Sequence, residues 1–238
     1  MTRYSFDLGG RVALVTGASS GLGARFGRIL AASGANVALA ARREGHLSSL
    51  SDEIGDKARA IKMDVGREAD IIAGYDCAEA YFGQSVDTVI ANAGIDGAGL
   101  IGEMPEEEIE RTLNINLKGA ILTAREGAKR MIANDIKNGR IIMVASITAF
   151  QPSPGLVAYS ASKAGVKQAC RSMAREWARW GISINTVSPG YIRTEINQFP
   201  RRRLMDERGL DATILLLCSD AAEFITGTDI VLDDGQTL

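Results

Sequence analysis

The chain has 238 residues, with 27 Lys+Arg against 29 Asp+Glu, a formal net charge of −2. That length suits one large α/β domain, and the charge balance excludes both a basic phosphate-backbone binder and an acidic solvating tail. Glycine is in excess, at 26 residues, or about 11% against a usual ~7%, which calls for tight turns or close backbone approaches.

Strand and helix signals alternate along the chain. Residues 11–16 form a short apolar run ending at Gly17 and predict a buried strand. Residues 21–33 carry Leu22, Phe26, Ile29 and Leu30 at helical spacing and stop at Gly34. A second strand is predicted at 37–41, a helix at 44–54, a third strand at 58–63, a helix at 68–82 and a fourth strand at 86–91. Pro105 followed by Glu106, Glu107 and Glu108 opens a helix predicted to run to Ala133, with acids near the positive end of its dipole. A fifth strand follows at 140–145, a long helix at 156–179, a sixth strand at 182–187, a helix at 207–219 and a last strand at 229–232. Apolar runs without alternation suit strands buried on both faces, hence a parallel sheet. The whole of 1–238 reads as a single domain, a doubly wound parallel sheet of about seven strands with helices on both faces.

Cys77, Cys170 and Cys218 are far apart and form no Cys-x-x-Cys, so they read as reduced, structural thiols. His46 is the sole histidine; it reads as a solvated helix residue, and no metal site is expected. The N-terminus lacks an apolar signal-peptide core, and the uncharged stretch 141–162 contains Pro152, Pro154 and Gly155, so it reads as strand, loop and helix start rather than a membrane span. A cytoplasmic protein without nucleic-acid or membrane partners is expected. The Arg201–Arg203 triplet reads as a solvated loop, with contact to an anionic ligand as the alternative.

Three features carry chemistry. The turn Thr16-Gly17-Ala18-Ser19-Ser20-Gly21-Leu22-Gly23 joins the first strand to the first helix, where a doubly wound fold cradles a pyrophosphate on free N–H groups at a helix N-terminus. Tyr159 and Lys163 stand at i and i+4 on one helix face, and an ammonium there is expected to lower the phenol pKa. Ser146, Asn92-Ala93-Gly94 and Ser188-Pro189-Gly190 all follow strands at the sheet edge where such folds hold ligands.

Taken in order with Asp64-Val65, Asn116 and Thr194, these elements resemble the short-chain dehydrogenase/reductase family over essentially the whole chain. The resemblance implies a Rossmann-type oxidoreductase with Tyr159 as general acid/base, Ser146 on the substrate oxygen, and Lys163 on Tyr159 and the nicotinamide ribose. Asn116, rather than Asn114, would hold a water that relays protons. Gly17, Ser19, Ser20, Gly21, Leu22 and Gly23 would bind the phosphates, Asp64 and Val65 the adenine, and Asn92, Ala93 and Gly94 a ribose. Pro189, Gly190, Ile192 and Thr194 would flank the nicotinamide. No acid follows the second strand; Ala41, Arg42 and Arg43 stand there, so NADP is expected and NAD less so. The expected function is a carbonyl reductase/alcohol dehydrogenase for a small ketone or secondary alcohol, with a 3-oxoacyl thioester as one candidate, working as a homotetramer or dimer. A catalytically idle nucleotide sensor and an NAD-preferring dehydrogenase are the alternatives.

The sequence departs from the family at two places. Its end, Leu232-Asp233-Asp234-Gly235-Gln236, is expected to affect subunit contact and not chemistry. The segment from Thr194 to Pro200 is too short for a substrate lid. Either the site is open, covered by Tyr191 and Phe199, or lid residues belong near 196–199 that this sequence lacks; the latter is the reading taken.

Overall fold

The computed structural model describes residues 6–191 and 205–238. The expectations for Ile192, Thr194, the lid segment, Phe199 and the arginine triplet lie outside the described residues.

The strands are β1 (Val12–Thr16), β2 (Asn36–Ala41), β3 (Ala58–Lys62), β4 (Thr88–Ala91), β5 (Gly139–Val144), β6 (Ile182–Pro189) and β7 (Asp229–Leu232). They form one seven-stranded sheet in the order β3-β2-β1-β4-β5-β6-β7, and every neighbouring pair is parallel. The helices are α1 (Gly21–Ala32), α2 (Glu44–Ile54), α3 (Glu68–Phe82), α4 (Glu106–Leu113), α5 (Ala120–Ala133), α6 (Val157–Trp177) and α7 (Asp211–Cys218).

Side chains alternate across each strand, so the sheet feeds two cores. Val12, Leu14, Val89, Ile141 and Ile184 pack on one face with Tyr75 of α3 and Val166 of α6. Ala13, Val15, Leu39, Ile90 and Ile142 pack on the other with Phe26 and Leu30 of α1, Leu47 of α2 and Ile214 of α7. β1, β5 and β6 are buried at every position, which suits the apolar runs 12–15 and 141–144; β6 buries Ser183, Asn185, Thr186 and Ser188 among its apolar residues.

Most boundaries fall within two residues of those predicted. The helix predicted over 105–133 is interrupted in its winding. Pro105 caps α4, and Asn114–Gly119 forms a π-helical segment before α5 resumes. The long helix after Leu156 also ends sooner, at Trp177, in a 3₁₀ turn that stops at Gly181 in the left-handed region. The uncharged stretch 141–162 resolves into β5, a 3₁₀ turn, a loop and the start of α6. Among the described residues no helix is long and apolar enough to cross a membrane. The three cysteines are free.

Candidate active site

The strand order reverses between β1 and β4, and the C-terminal ends of β1, β4, β5 and β6 open there onto two adjoining clefts. Such a switch point is where open α/β sheets place ligands.

The first cleft, about 400 Å³, is lined by the glycine turn, Ala41 to Arg43, Met63 to Val65, and Asn92 to Ile95. Gly17 lies at φ +68°, and a Cβ there would meet Ala93 Cα at 2.8 Å; a Cβ on Gly23 would land on the Gly17 carbonyl. The turn thus needs glycine for its conformation at one position and for helix–strand contact at the other. The first turn of α1 carries no acidic residue, and Ser20 makes no side-chain cap, so its N–H groups are left for an anion. Thr16 Oγ1 accepts from the Asn92 and Ala93 N–H groups, both at 3.1 Å, and Asn92 Nδ2 donates to Thr16 O at 2.9 Å. These bonds tie the β4 loop to the turn. Asp64 Oδ1 accepts from the Gly66 N–H at 3.0 Å.

At the rim, Arg43 Nη2 donates to Ser19 Oγ at 2.8 Å and Ser20 Oγ at 2.6 Å. Arg42 is exposed on the same wall, and among the described residues its guanidinium has no partner. Glu44 does not line the cleft; it pairs with Lys62 at 2.9 Å.

The second cleft, about 380 Å³, holds Ser146, Tyr159 and Lys163, with Pro189, Gly190 and Tyr191 on its far side. Lys163 is buried on α6; its Nζ donates to Val144 O at 2.7 Å and sits 5.6 Å from the centre of the Tyr159 ring. Burial pulls its pKa down to about 8. Burial also pushes the Tyr159 phenol up, with Asp96 and Tyr191 adding to the rise and a hydrogen bond to Ser146 opposing it. This corrects the expectation of a lowered phenol: desolvation is the largest influence, and the opposing one comes from Ser146 rather than from Lys163. Ser146 Oγ accepts from Thr148 N at 3.2 Å and from Thr148 Oγ1 at 3.0 Å. Its oxygen is thereby used as acceptor, and its own proton is left for the Tyr159 oxygen or a ligand in the cleft.

Asn116 lies in the π-helical segment. Its Oδ1 accepts from the Ile95 N–H at 2.8 Å, and its Nδ2 donates to Ile95 O at 2.8 Å and to Ser162 Oγ at 3.2 Å. Ser162 in turn donates to Tyr159 O at 2.6 Å. The amide is a strut joining the β4 loop to the first turn of α6. Gly94 lies between: a Cβ on it would sit 3.3 Å from Asn116 Oδ1 and 3.6 Å from Lys163 Nζ. Asn114 points elsewhere, donating to Gly66 O at 3.3 Å.

Sequence reasoning missed two participants. Asp96 lines the second cleft. Gln236, near the C-terminus, is buried; its Oε1 accepts from the Tyr191 N–H at 2.6 Å, and its Nε2 donates to Tyr191 O at 3.2 Å. The C-terminal segment therefore supports the backbone of a residue that lines the cleft. Gln236 follows the Asp-Asp-Gly departure directly, but only the fold brings it to Tyr191.

The residues fit a dinucleotide: a glycine cradle with no room for side chains at Gly17 and Gly23, an uncapped helix N-terminus, and a second cleft with a buried amine beside a phenol. The short chain dehydrogenase family model matches residues 11–204. Oxidoreductase UcpA of Salmonella typhimurium is 33% identical over 256 aligned positions, covering 97% of this chain and 96% of that protein. The 3-oxoacyl-[acyl-carrier-protein] reductase FabG of Vibrio cholerae is 34% identical, covering 97% and 98%. A crystal structure of a short-chain type dehydrogenase/reductase from Mycobacterium marinum superposes with a TM-score of 0.92 at 36% identity, covering 98% and 97% of the two chains. Site geometry, family match and whole-length likeness agree that this chain belongs to the short-chain dehydrogenase/reductase family, NAD(P)-dependent oxidoreductases that act on CH–OH and carbonyl groups.

Proposed function

We propose that the chain, as one domain over 1–238, is an NADP(H)-dependent carbonyl reductase/alcohol dehydrogenase for a small ketone or secondary alcohol. The observation that carries this reading is the convergence of Ser146, Tyr159 and Lys163 in one cleft that adjoins the glycine cradle. The dinucleotide, when bound, supplies or accepts the hydride.

The chain's own residues handle the proton and the substrate oxygen. In reduction, the Ser146 hydroxyl donates a hydrogen bond to the carbonyl oxygen, and Tyr159 delivers its phenolic proton to that oxygen as negative charge develops there. A raised phenol pKa keeps that proton in place at neutral pH. Lys163, its ammonium held by the Val144 carbonyl, stabilises the phenolate left behind and then passes it a proton, restoring the phenol and leaving a neutral amine; it would also hold ribose hydroxyls. Asn116 fixes Ile95 and the start of α6, and the π-helical backbone around it is the proposed seat of the water that returns a proton to Lys163. In oxidation the same transfers run backwards, so Tyr159 must first be ionised.

The dinucleotide would lie along Gly17, Ser19, Ser20, Gly21, Leu22 and Gly23, with Asp64 and Val65 at the adenine, Asn92, Ala93 and Gly94 at a ribose, and Pro189, Gly190, Ile192 and Thr194 at the nicotinamide. NADP is favoured by the free Arg42 guanidinium, by Arg43 on Ser19 and Ser20, and by the position of Glu44 off the cleft, paired with Lys62. A cytoplasmic homotetramer or dimer completes the reading; a single-chain mass in sedimentation at micromolar concentration would contradict the oligomer.

Steady-state assays of ketones and alcohols with each cofactor test the proposal. NADPH is expected to be preferred, and Arg42→Ala is expected to weaken NADPH about 10–100-fold, the worth of a charge-assisted bond, while sparing NADH. Equal losses with both cofactors would contradict the NADP assignment.

A further inference from the structure

We propose that Asp96 selects the substrate: its carboxylate receives a hydroxyl on the carbon next to the reacting one, so that the enzyme acts on neutral vicinal diols and polyols and turns away substrates bearing a carboxylate. This inference rests on the dehydrogenase reading above.

Asp96 is two residues beyond Gly94, on the loop that leaves β4, and it lines the cleft that contains Ser146, Tyr159 and Lys163. Among the described residues its carboxylate has no hydrogen bond and no ion pair, although it faces a cleft built for a small molecule. A carboxylate accepts and cannot donate, so its complement on a ligand is a hydroxyl or another N–H or O–H donor. Its charge reaches the Tyr159 phenol, whose pKa it helps to raise. The substrate oxygen that reacts must lie against that phenol, which puts Asp96 within reach of its neighbouring substituents.

Among the described residues, the other charges nearby give an anion no counterpart. Lys163 is the one cation among the described residues of this cleft, and its Nζ is held by Val144 O. The adjoining hollow along the same loop, about 460 Å³, is lined by Asp96, Glu103 and Glu108, and its Arg111 is already paired with Glu108 at 3.0 Å. A carboxylate on the substrate would meet like charge, which is how a site rejects a competitor. On the opposite rim, Tyr191 and Ser153 share a hydrogen bond of 2.7 Å between their hydroxyls, a further polar edge suited to hydroxylated ligands.

The test compares kcat/KM for oxidation of 2-butanol, 2,3-butanediol and 3-hydroxybutyrate by the wild-type protein, Asp96→Asn and Asp96→Ala. In the wild type the diol is expected to exceed the mono-alcohol about 10–100-fold, the worth of a hydroxyl donating to a charged acceptor, with 3-hydroxybutyrate the poorest. In Asp96→Ala the ratio of diol to mono-alcohol should fall towards one, and in Asp96→Asn 3-hydroxybutyrate should improve. The pH profile gives an independent readout, because the phenol is faced by Ser146 after β5, Asp96 after β4, Tyr191 after β6 and Lys163 on α6. Only Asp96 changes charge in the Asn variant, so the rising limb of 2-butanol oxidation should move to lower pH. Turnover by the wild type with a diol ratio that Asp96→Ala leaves intact overturns this proposal alone. Silence of the wild type on all three substrates overturns the proposal, and silence on every ketone and alcohol assayed with either cofactor overturns the dehydrogenase reading as well.

Discussion

Tyr159 and Lys163 sit one helical turn apart, and burial moves their pKa values in opposite directions, the phenol up and the ammonium down to about 8. Both shifts follow from burial, which disfavours charge. The lysine shift has a stability consequence. The unfolded lysine titrates near 10.5 and the folded one near 8, so between these values the unfolded chain binds more protons. Stability relative to a Lys163→Met variant is therefore expected to rise through that window. The full cost of burying the charge, on the order of 3 kcal/mol, applies below pH 8 and is gone above 10.5. Denaturant melts of both proteins across this range check it; a flat difference would contradict the buried ammonium. The Tyr-Lys pairing itself was legible from spacing, because i and i+4 share a helix face whatever the tertiary fold. The direction of the Tyr159 shift was not, because it depends on what buries the phenol.

At the scale of elements, the strands and most helices follow from periodicity and glycine stops. What escaped was winding. The stretch 106–133 has an unbroken helical pattern, and nothing in it encodes the π-helical segment at Asn114–Gly119. That segment carries Asn116, whose bonds to Ile95 and Ser162 join residues far apart in sequence. The C-terminus of α5 makes a separate prediction. Asp135 follows Asn134 in the left-handed region at φ 56°, while its N–H donates to Ile132 O at 3.2 Å and the Ile136 N–H donates to Met131 O at 2.8 Å. This is a Schellman ending with aspartate where glycine is unstrained. Asp135→Gly is expected to stabilise the protein by about 0.5–1 kcal/mol, read as a higher denaturant midpoint at unchanged m-value. A lower midpoint would mean that the exposed pairing of Asp135 with Lys137 outweighs the backbone strain.

At the scale of the molecule, the parallel sheet brings four strand ends to one edge, and the C-terminal segment returns to lock the site. Gln236 grips both backbone polar groups of Tyr191, and a Cβ on Gly190 would strike its Oε1. Gln236→Ala removes both of these bonds and is expected to cost about 1–3 kcal/mol and to raise KM. Chemical denaturation and steady-state kinetics check this; unchanged KM would confine Gln236 to a structural role. That link was illegible in the sequence because 45 residues separate the partners and only the pairing of β6 with β7 brings them together. The sheet edge itself was legible, since each strand that meets there is followed within two residues by glycine, asparagine or serine: Gly17, Asn92, Ser146 and Gly190. The most direct measurement is a single turnover followed by nicotinamide absorbance, comparing wild type with Tyr159→Phe, each preloaded with NADPH and mixed with a ketone that the wild type reduces. The Phe variant is expected to bind NADPH as tightly as the wild type and to lose at least 10²-fold in the rate of hydride transfer. A Phe variant retaining more than about a tenth of that rate would contradict Tyr159 as the proton donor.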